Sequence, residues 1–280
     1  MRVFVLTTAA LVGFSANSLL TRSALGAGLI DPSSFMVVRL LTGAATLWML
    51  TRLRSSSSRG DRGSWWPALA LAGYAVCFTL AYTRIGAGVG ALVLFGSVQV
   101  TMIGVGLIRG ERPAKIDWVG LAVAFAGLIV LTRPGVTAPD ERGSLLMAAA
   151  GAAWGIYSLA GRGSRDPLGA TAGNFLRASV VAVIFGVFAA AQALPHATAR
   201  GLLLATASGS LASGVGYTLW YAALPSLAPW RAAIVQLAVP VGTAVAASIL
   251  LSEPLSIRLA ISAALVAAGV GMTIAGSLRR

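Results

Sequence analysis

The chain contains two successive copies of one apolar unit, at residues 3–132 and 143–277, and each copy divides into five segments. The first segments match best: residues 13–22 lie over residues 153–162, with a serine, a leucine and an arginine in register. Because five membrane crossings is an odd number, the second copy must be inserted upside down relative to the first. Inverted halves that meet at a site near the bilayer midplane are the usual construction of secondary transporters.

Further landmarks of the repeat lie at the ends of segments. The second segments begin with Asp31-Pro32 and Asp166-Pro167, and the fourth segments end at Glu111 and Glu253, each followed within two residues by a proline. These landmarks predict two inverted five-helix repeats. We place the first at residues 1–135 and the second at residues 136–280.

The composition assigns the chain to the membrane. With 57% hydrophobic and 10% charged residues and a mean hydropathy of +0.85, it is too apolar for a soluble domain. A helix needs about 20 apolar residues to cross about 30 Å of hydrocarbon. The runs lack the alternation of barrel strands, so we predict an all-α integral membrane protein with ten transmembrane helices. The predicted spans are 3–21, 33–53, 64–85, 87–108, 115–132, 143–162, 168–193, 201–222, 228–250 and 257–277.

The net charge of +13 follows the membrane rather than a nucleic-acid surface. If the amino terminus is cytoplasmic, thirteen Lys and Arg residues lie on the cytoplasmic side and six on the other, which is the positive-inside pattern. We therefore predict a multi-pass protein with both termini in the cytoplasm. The expected partners are membrane lipid, for which the arginines between Arg52 and Arg62 provide a basic loop, and a small-molecule substrate. We expect a monomer.

Several functional classes are disfavoured by what the sequence lacks. Cys77 is the only cysteine and His196 the only histidine, so a disulfide framework, a cysteine metal site and a hydrolase triad are disfavoured. The glycine run from Gly86 to Gly90 has no preceding strand and no following Lys-Ser/Thr pair, so it favours close helix packing over phosphate binding. We predict a protein that is not an enzyme and has no cofactor or metal.

The acidic residues are confined to predicted loops and helix ends. Ion-driven carriers commonly hold the coupling ion on a buried carboxylate, because an ionisable group in hydrocarbon is costly. The sequence therefore favours transport without an ion-coupling carboxylate. The acidic residues are Asp31, Asp61, Glu111, Asp117, Asp140, Glu141, Asp166 and Glu253.

The candidates for a midplane site are aromatic and uncharged. Trp154 and Tyr157 face one side of the sixth segment near mid-depth, and Phe14 and Asn17 are their counterparts in the first segment. Apolar walls with a few placed polar groups describe a small-molecule pocket, and helix packing is the alternative role. The predicted substrate-binding residues are Phe14, Asn17, Tyr82, Phe95, Gln99, Trp154, Tyr157, Tyr217, Trp220, Tyr221 and Gln236.

Two arginines lie within predicted helices, Arg39 and Arg177. A guanidinium there can hold a substrate carboxylate. We instead expect a structural role, in which the long stem reaches the nearest membrane surface.

Hinge residues are predicted where helices bend or pack closely. Pro240 removes a backbone hydrogen bond within the ninth segment, whereas the fourth segment has no internal proline. We place the hinge at Pro240, Gly86, Gly88, Gly104 and Gly106.

The chain resembles the EamA-type drug/metabolite transporters. The resemblance covers almost the whole chain and includes Phe14-Ser15, Trp154-Gly155, and the run from Ala228-Pro229 through Val239-Pro240 to Ser252-Glu253-Pro254-Leu255. The stretch from Leu94 to Gln99 is similar to the YddG-like exporters of aromatic amino acids. The resemblance implies a bacterial inner-membrane exporter of aromatic amino acids and related amphipathic metabolites that works by alternating access. The alternatives are a carrier for drugs or nucleotide sugars, a channel for small metabolites, and a membrane enzyme or scaffold.

Overall fold

The computed structural model is all-helical and describes residues 2–53, 61–110, 114–132, 138–161, 164–227, 232, 235–236 and 238–278. The first half of the chain forms α1 (Arg2–Gly26), α2 (Pro32–Leu53), α3 (Trp65–Tyr82), α4 (Ala87–Ile108) and α5 (Lys115–Thr132). The second half forms α6 (Glu141–Gly161), α7 (Pro167–Ala190), α8 (Ala199–Ala207), α9 (Gly216–Ala223), α10 (Ala238–Leu250) and α11 (Ile257–Leu278).

Among the described residues, seven spans are long and apolar enough to cross a membrane, judged by length and composition. Shorter apolar helices at Trp118–Gly127, Ala238–Leu250 and Ile257–Gly269 complete the set of ten. The predicted ten-span, all-α membrane fold is confirmed. The prediction ended the first span at residue 21, but α1 continues to Gly26.

The two Asp-Pro landmarks begin helices, as predicted. The backbone N–H of Ser34 donates to the carboxylate of Asp31 at 2.9 Å at the start of α2, and that of Gly169 donates to Asp166 at 3.2 Å at the start of α7. An aspartate before a helix satisfies an N–H that has no partner within the helix. The proline that follows each aspartate sits where a missing N–H costs nothing.

Helices of the first half pack on the equivalent helices of the second half. Helix α2 packs along α7, α4 along α10, and α5 along α11. The remaining large contacts come in matched pairs: α3 and α4 pack on α6 as the eighth span and α10 pack on α1, and α3 packs on α7 as the eighth span packs on α2. This is the pattern that a pseudo-twofold axis in the membrane plane produces. The predicted boundary between residues 135 and 136 lies outside the described residues.

The loops distinguish the two faces of the bundle. We call the face where α1 begins and α11 ends the termini face, and the other the opposite face. At the opposite face, the N–H of His196 donates to Asp31 at 3.0 Å and ties the α7–α8 loop to the α1–α2 loop. At the termini face, the N–H of Ser64 donates to Asn174 at 3.0 Å and ties the α2–α3 loop to α7. Helices α2 and α7 therefore run in opposite directions.

The eighth span departs from a uniform α-helix. A π-helical segment, Ser208–Val215, joins α8 to α9, and a 3-10 turn, Leu224–Ser226, follows α9. The span was predicted as one uninterrupted helix, 201–222. Gly209 lies against the backbone of Arg39 in α2, where a Cβ would collide with the Arg39 carbonyl. The run of serine and glycine allows this close approach, and π-helical turns are frequent at functional sites.

Candidate functional site

Phe14 lies at the centre of a buried aromatic cluster between the two halves. Its ring centroid is 6.5 Å from that of Phe95 in the first half. On the side of the second half it is 5.6 Å from Trp154, 5.9 Å from Tyr217 and 5.7 Å from Trp220, all in edge-to-face contact. Five predicted site residues are thus brought together near mid-depth.

Trp154 connects this cluster to α3 and α9. Its ring centroid is 5.2 Å from Tyr74 and 4.7 Å from Tyr217. Its indole N–H donates to the amide oxygen of Gln236 at 3.1 Å, and the Gln236 amide donates to the carbonyl of Ala232 at 3.0 Å. Gln236 therefore orients Trp154. Its amide already has hydrogen-bond partners and is not free to bind a ligand at the centre of the cluster.

The other predicted residues extend from the cluster toward the two faces. Tyr157 contacts Tyr221 with 6.0 Å between centroids, and both lie nearer the termini face. Tyr82 lies at the end of α3 nearer the opposite face, with its centroid 4.7 Å from that of Phe78. Gln99 is buried in α4.

A small void lies beside Phe14. The centre of a water molecule can occupy about 10 Å³ of this void. The void therefore has room for about one water molecule. An amino acid is far larger, so this conformation is closed around an almost filled centre. The lining residues are Phe14, Asn17, Ser18, Tyr74, Phe78, Leu94, Phe95, Trp154 and Tyr217. Of the predicted site residues, Phe14, Asn17, Phe95, Trp154 and Tyr217 line the void, whereas Tyr82, Gln99, Tyr157, Trp220, Tyr221 and Gln236 do not.

Asn17 and Tyr74, which line the void, belong to a polar network. The hydroxyl of Tyr74 accepts from the side-chain amide of Asn17 at 3.1 Å and from the guanidinium of Arg39 at 3.2 Å. The hydroxyl of Ser208 donates to the amide oxygen of Asn17 at 2.7 Å, and the hydroxyl of Ser213 accepts from Arg39 at 3.3 Å. The π-helical segment supplies both serines.

The position of Arg39 contradicts the prediction that its side chain reaches the membrane surface. Only 1% of the residue is exposed, so its stem does not reach the membrane surface as predicted. Its guanidinium lies over the rings of Tyr74 and Phe78, 5.3 and 4.9 Å from their centroids. Such contacts attract a cation to the ring face. One nitrogen of the group, Nη1, has no hydrogen-bond partner among the described residues.

Arg177, the other intramembrane arginine, behaves as predicted. Its Nη1 donates to the backbone carbonyl of Arg62 at 2.8 Å and to that of Gly173 at 2.9 Å. The guanidinium also lies 5.9 Å from the ring centroid of Trp65. These contacts hold the α2–α3 loop on α7 at the termini face, which is a structural role.

A charged clamp closes the opposite face. The carboxylate of Glu253 accepts from the N–H of Ala87 at 2.8 Å and from Nε of Arg22 at 3.2 Å, and Arg22 also donates to the carbonyl of Tyr82 at 3.0 Å. The carboxylate thus sits on the positive N-terminal end of α4. Four elements meet here: α1, α3, α4 and the α10–α11 loop. Arg162 and Glu111, the counterparts of the pair in the repeat, lie outside the described residues.

The predicted hinge glycines have different surroundings. Gly86 precedes α4, where a Cβ would lie 2.8 Å from the Glu253 carboxylate, and Gly88 packs closely on Ala244 of α10. Gly104 has open space around its Cα. Gly106 and Pro240 are buried in α4 and α10. The close approaches explain why glycine stands at 86 and 88, and the hinge itself stays a prediction.

Sequence reasoning missed part of the site. Ser208 and Ser213 carried no signal, because only the π-helical register aims both hydroxyls at α1 and α2. Arg39 did carry one, since an arginine within an apolar span is expensive and is usually placed there for function.

Comparison with known proteins identifies a family model, several relatives and a solved structure that are similar to this chain. The model of the EamA-like transporter family matches residues 141–275. An uncharacterized protein of Pseudomonas aeruginosa is 44% identical over 279 residues, which cover 100% of this chain and 96% of that protein. The threonine/homoserine exporter RhtA of Escherichia coli K12 is 31% identical over 175 residues, 61% of this chain and 59% of that one.

RhtA of Salmonella typhimurium is 28% identical over 209 residues, 74% of this chain and 69% of that one. A solved crystal structure superposes with a TM-score of 0.75 over 99% of this chain and 98% of that one, at 20% identity. The structural match supports the fold alone.

Proposed function

We propose that the chain is a member of the EamA-like transporter family, whose model matches residues 141–275, and that it exports amino acids with aromatic or other apolar side chains by alternating access. The family is one of transporters, not enzymes, so the central cluster is a candidate for substrate binding rather than for catalysis.

The observation that carries the proposal is the composition of the central void. Its walls come from both halves and are mainly rings, with Asn17 and Ser18 as polar groups at one side. Apolar walls with few polar groups suit a small amphipathic molecule. Edge-to-face ring contacts contribute about 0.5–1.5 kcal/mol each beyond simple burial, which favours an aromatic side chain. Leu94 and Phe95, from the stretch similar to YddG-like exporters, are among the lining residues.

The closed conformation fits a carrier that alternates. A substrate enters only if the rings separate, and the clamp of Arg22 and Glu253 blocks the opposite face while it is formed. With both termini in the cytoplasm of a bacterium, the opposite face is periplasmic, and release there requires this clamp to open. We propose that the substrate gradient alone drives transport, because no carboxylate lies at mid-depth among the described residues.

A second candidate function is export of threonine and homoserine. The RhtA relatives support it, because both are named as exporters of these amino acids. Asn17 and Ser18 offer polar partners for a small hydroxylated side chain. The ring-rich remainder of the wall favours the first candidate.

Counterflow in liposomes separates the candidates. Vesicles holding purified protein are preloaded with unlabelled phenylalanine, tryptophan, threonine or homoserine, and uptake of the labelled counterpart is followed. We expect saturable exchange that is fastest for phenylalanine and tryptophan. Exchange of threonine and homoserine alone favours the second candidate, and flux that rises linearly with concentration favours a channel. Absence of exchange with every amino acid contradicts both carrier proposals.

A further inference from the structure

We propose that Arg39 is the group that binds the carboxylate of the substrate. The inference rests on the proposed amino-acid substrate and assigns the residue that holds its acidic end. Arg39 lies about 10 Å along α2 from its start, at 1.5 Å of rise per residue. It therefore lies about a third of the way along the 22-residue helix.

The charge of Arg39 lacks a counterion in this conformation. In the part of the chain that the structure describes, no carboxylate oxygen lies within 4.0 Å of its nitrogens. Its hydrogen-bond acceptors are the neutral hydroxyls of Tyr74 and Ser213, and Nη1 has none. A buried cation is costly unless it is paired and hydrogen-bonded. An anionic group that arrives with the substrate removes this cost.

The guanidinium is also placed to meet such a group. It lies 5.3 and 4.9 Å from the ring centroids of Tyr74 and Phe78, and both of these side chains line the void. Tyr74 and Tyr217 both line the void and both contact the ring of Trp154, with 5.2 and 4.7 Å between centroids. A carboxylate that enters between Tyr74 and Tyr217 receives the guanidinium and two phenol donors together.

The rest of the substrate then has a defined direction. A carboxylate held at Arg39 leaves the side chain to contact the other rings that line the void, Phe14, Phe95 and Trp154. The charged end is thereby separated from the apolar end. Paired charged hydrogen bonds of this kind are stronger than neutral ones.

A purely structural role is the competing explanation. Arg39 joins α2 to the π-helical segment through Ser213, and loss of that contact could disturb packing without any effect on a ligand. Arg177 supplies the matched control. It lies within the equivalent helix of the second half, 11 residues after Asp166 where Arg39 lies 8 residues after Asp31, and its Nη1 is satisfied by two backbone carbonyls.

The first test requires no mutation. Phenylalanine and phenylalaninamide differ at the carboxylate, and each competes with labelled phenylalanine for counterflow. We expect phenylalaninamide to compete about ten- to a hundredfold less well, which is the loss of one or two charge-assisted hydrogen bonds. Equal competition by the two compounds overturns the proposal.

The second test uses binding and does not depend on transport of amino acids. The unfolding midpoint of purified protein is measured with 3-phenylpropionate and with 3-phenylpropionamide. We expect the carboxylate alone to raise the midpoint of the wild type and of Arg177→Gln, but not of Arg39→Gln. Arg39→Lys keeps the charge without the planar fork and should give a smaller rise. Equal rises in wild type and Arg39→Gln, or no rise in the wild type, overturn the proposal.

The two tests keep the proposals separate. If no amino acid exchanges in liposomes but 3-phenylpropionate stabilises the wild type and not Arg39→Gln, the proposed function fails and the anion site stands. If phenylalanine exchanges equally well through Arg39→Gln and wild type, the anion site fails and the proposed function stands.

Discussion

The indole N–H of Trp154 donates to the amide oxygen of Gln236 at 3.1 Å and joins α6 to the segment that precedes α10. Both residues belong to the second half, and Trp154 also contacts Phe14 of the first half. A ring that contacts both halves has to move when they separate. Gln236 fixes the orientation from which that movement starts.

Replacement of Gln236 by leucine should therefore destabilise the closed conformation. The change leaves the buried indole N–H without an acceptor, at a cost of about 1–3 kcal/mol. We expect a lower unfolding midpoint and a raised KM for exchange. Gln192→Leu, in an exposed loop, is the control and should leave both unchanged. An unchanged midpoint in Gln236→Leu would show that the hydrogen bond contributes nothing.

Phe14→Ala should loosen the centre of the bundle. The side chain contacts four rings, so its loss leaves a cavity where the halves meet. Unfolded spans remain in hydrocarbon, so only the packing contribution is lost, and we expect up to about 3 kcal/mol. The measurement is unfolding in detergent. Phe188→Ala, on the lipid-exposed side of α7, should change stability little, and an equal loss in both variants would contradict the central role of Phe14.

The fold was predictable because its signals are local and repeated. Apolar runs of about 20 residues define the spans, and Asp31 and Asp166 mark the starts of equivalent helices. The inversion follows from an odd number of spans in each copy. The sequence also predicted an aromatic centre, since Phe14 and Trp154 occupy equivalent positions at mid-depth.

The polar part of the site was not predictable in the same way. Ser208 and Ser213 reach Asn17 and Arg39 only because the backbone between them is π-helical, and a π-helical register has no reliable sequence pattern. The two intramembrane arginines lie in equivalent helices, 8 residues after Asp31 and 11 residues after Asp166. They differ because Arg177 finds carbonyl groups at a face, whereas Arg39 is enclosed by α3 and the eighth span.

Acid should weaken the contact between the two loops at the opposite face. Burial raises the pKa of Asp31, but hydrogen bonds from Ser33, Ser34 and the N–H of His196 outweigh it and lower the pKa from 3.8 to about 2. The carboxylate therefore stabilises the folded protein above about pH 4, and this contribution is lost as the pH falls through about 2.

Asp31→Asn tests this pH dependence, because asparagine still caps a helix but carries no charge. We expect the variant to be less stable than wild type at pH 6, by about 1 kcal/mol after allowance for solvent screening. The difference should shrink between pH 4 and pH 2. Ser33→Ala removes one of the hydrogen bonds that lower the pKa of Asp31. The stability difference should then disappear at a higher pH than in the protein that keeps Ser33. A difference that stays constant from pH 6 to pH 2 would refute the assignment to Asp31.

The clamp at the opposite face should control access to the void from that face. Glu253 joins Arg22 to the N-terminus of α4, and Glu253→Gln removes the charge that both partners recognise. In a Cys77→Ala background, Ser18→Cys places one thiol on the wall of the void. We expect Glu253→Gln to make this thiol react several-fold faster with a membrane-impermeant maleimide added at the opposite face.

Asp140→Asn is the control for the clamp, because it weakens the exposed Arg84–Asp140 pair, 3.9 Å apart, near the same face. Exposed pairs contribute about 0–1 kcal/mol, so labelling of the thiol should not change. The Arg22–Glu253 pair is more buried and joins α1 to the N-terminus of α4, so its loss should favour the conformation open to that face. If the thiol reacts at the parent's rate in both Glu253→Gln and Asp140→Asn, the clamp does not control access to the void. The aromatic cluster alone then closes the void toward this face.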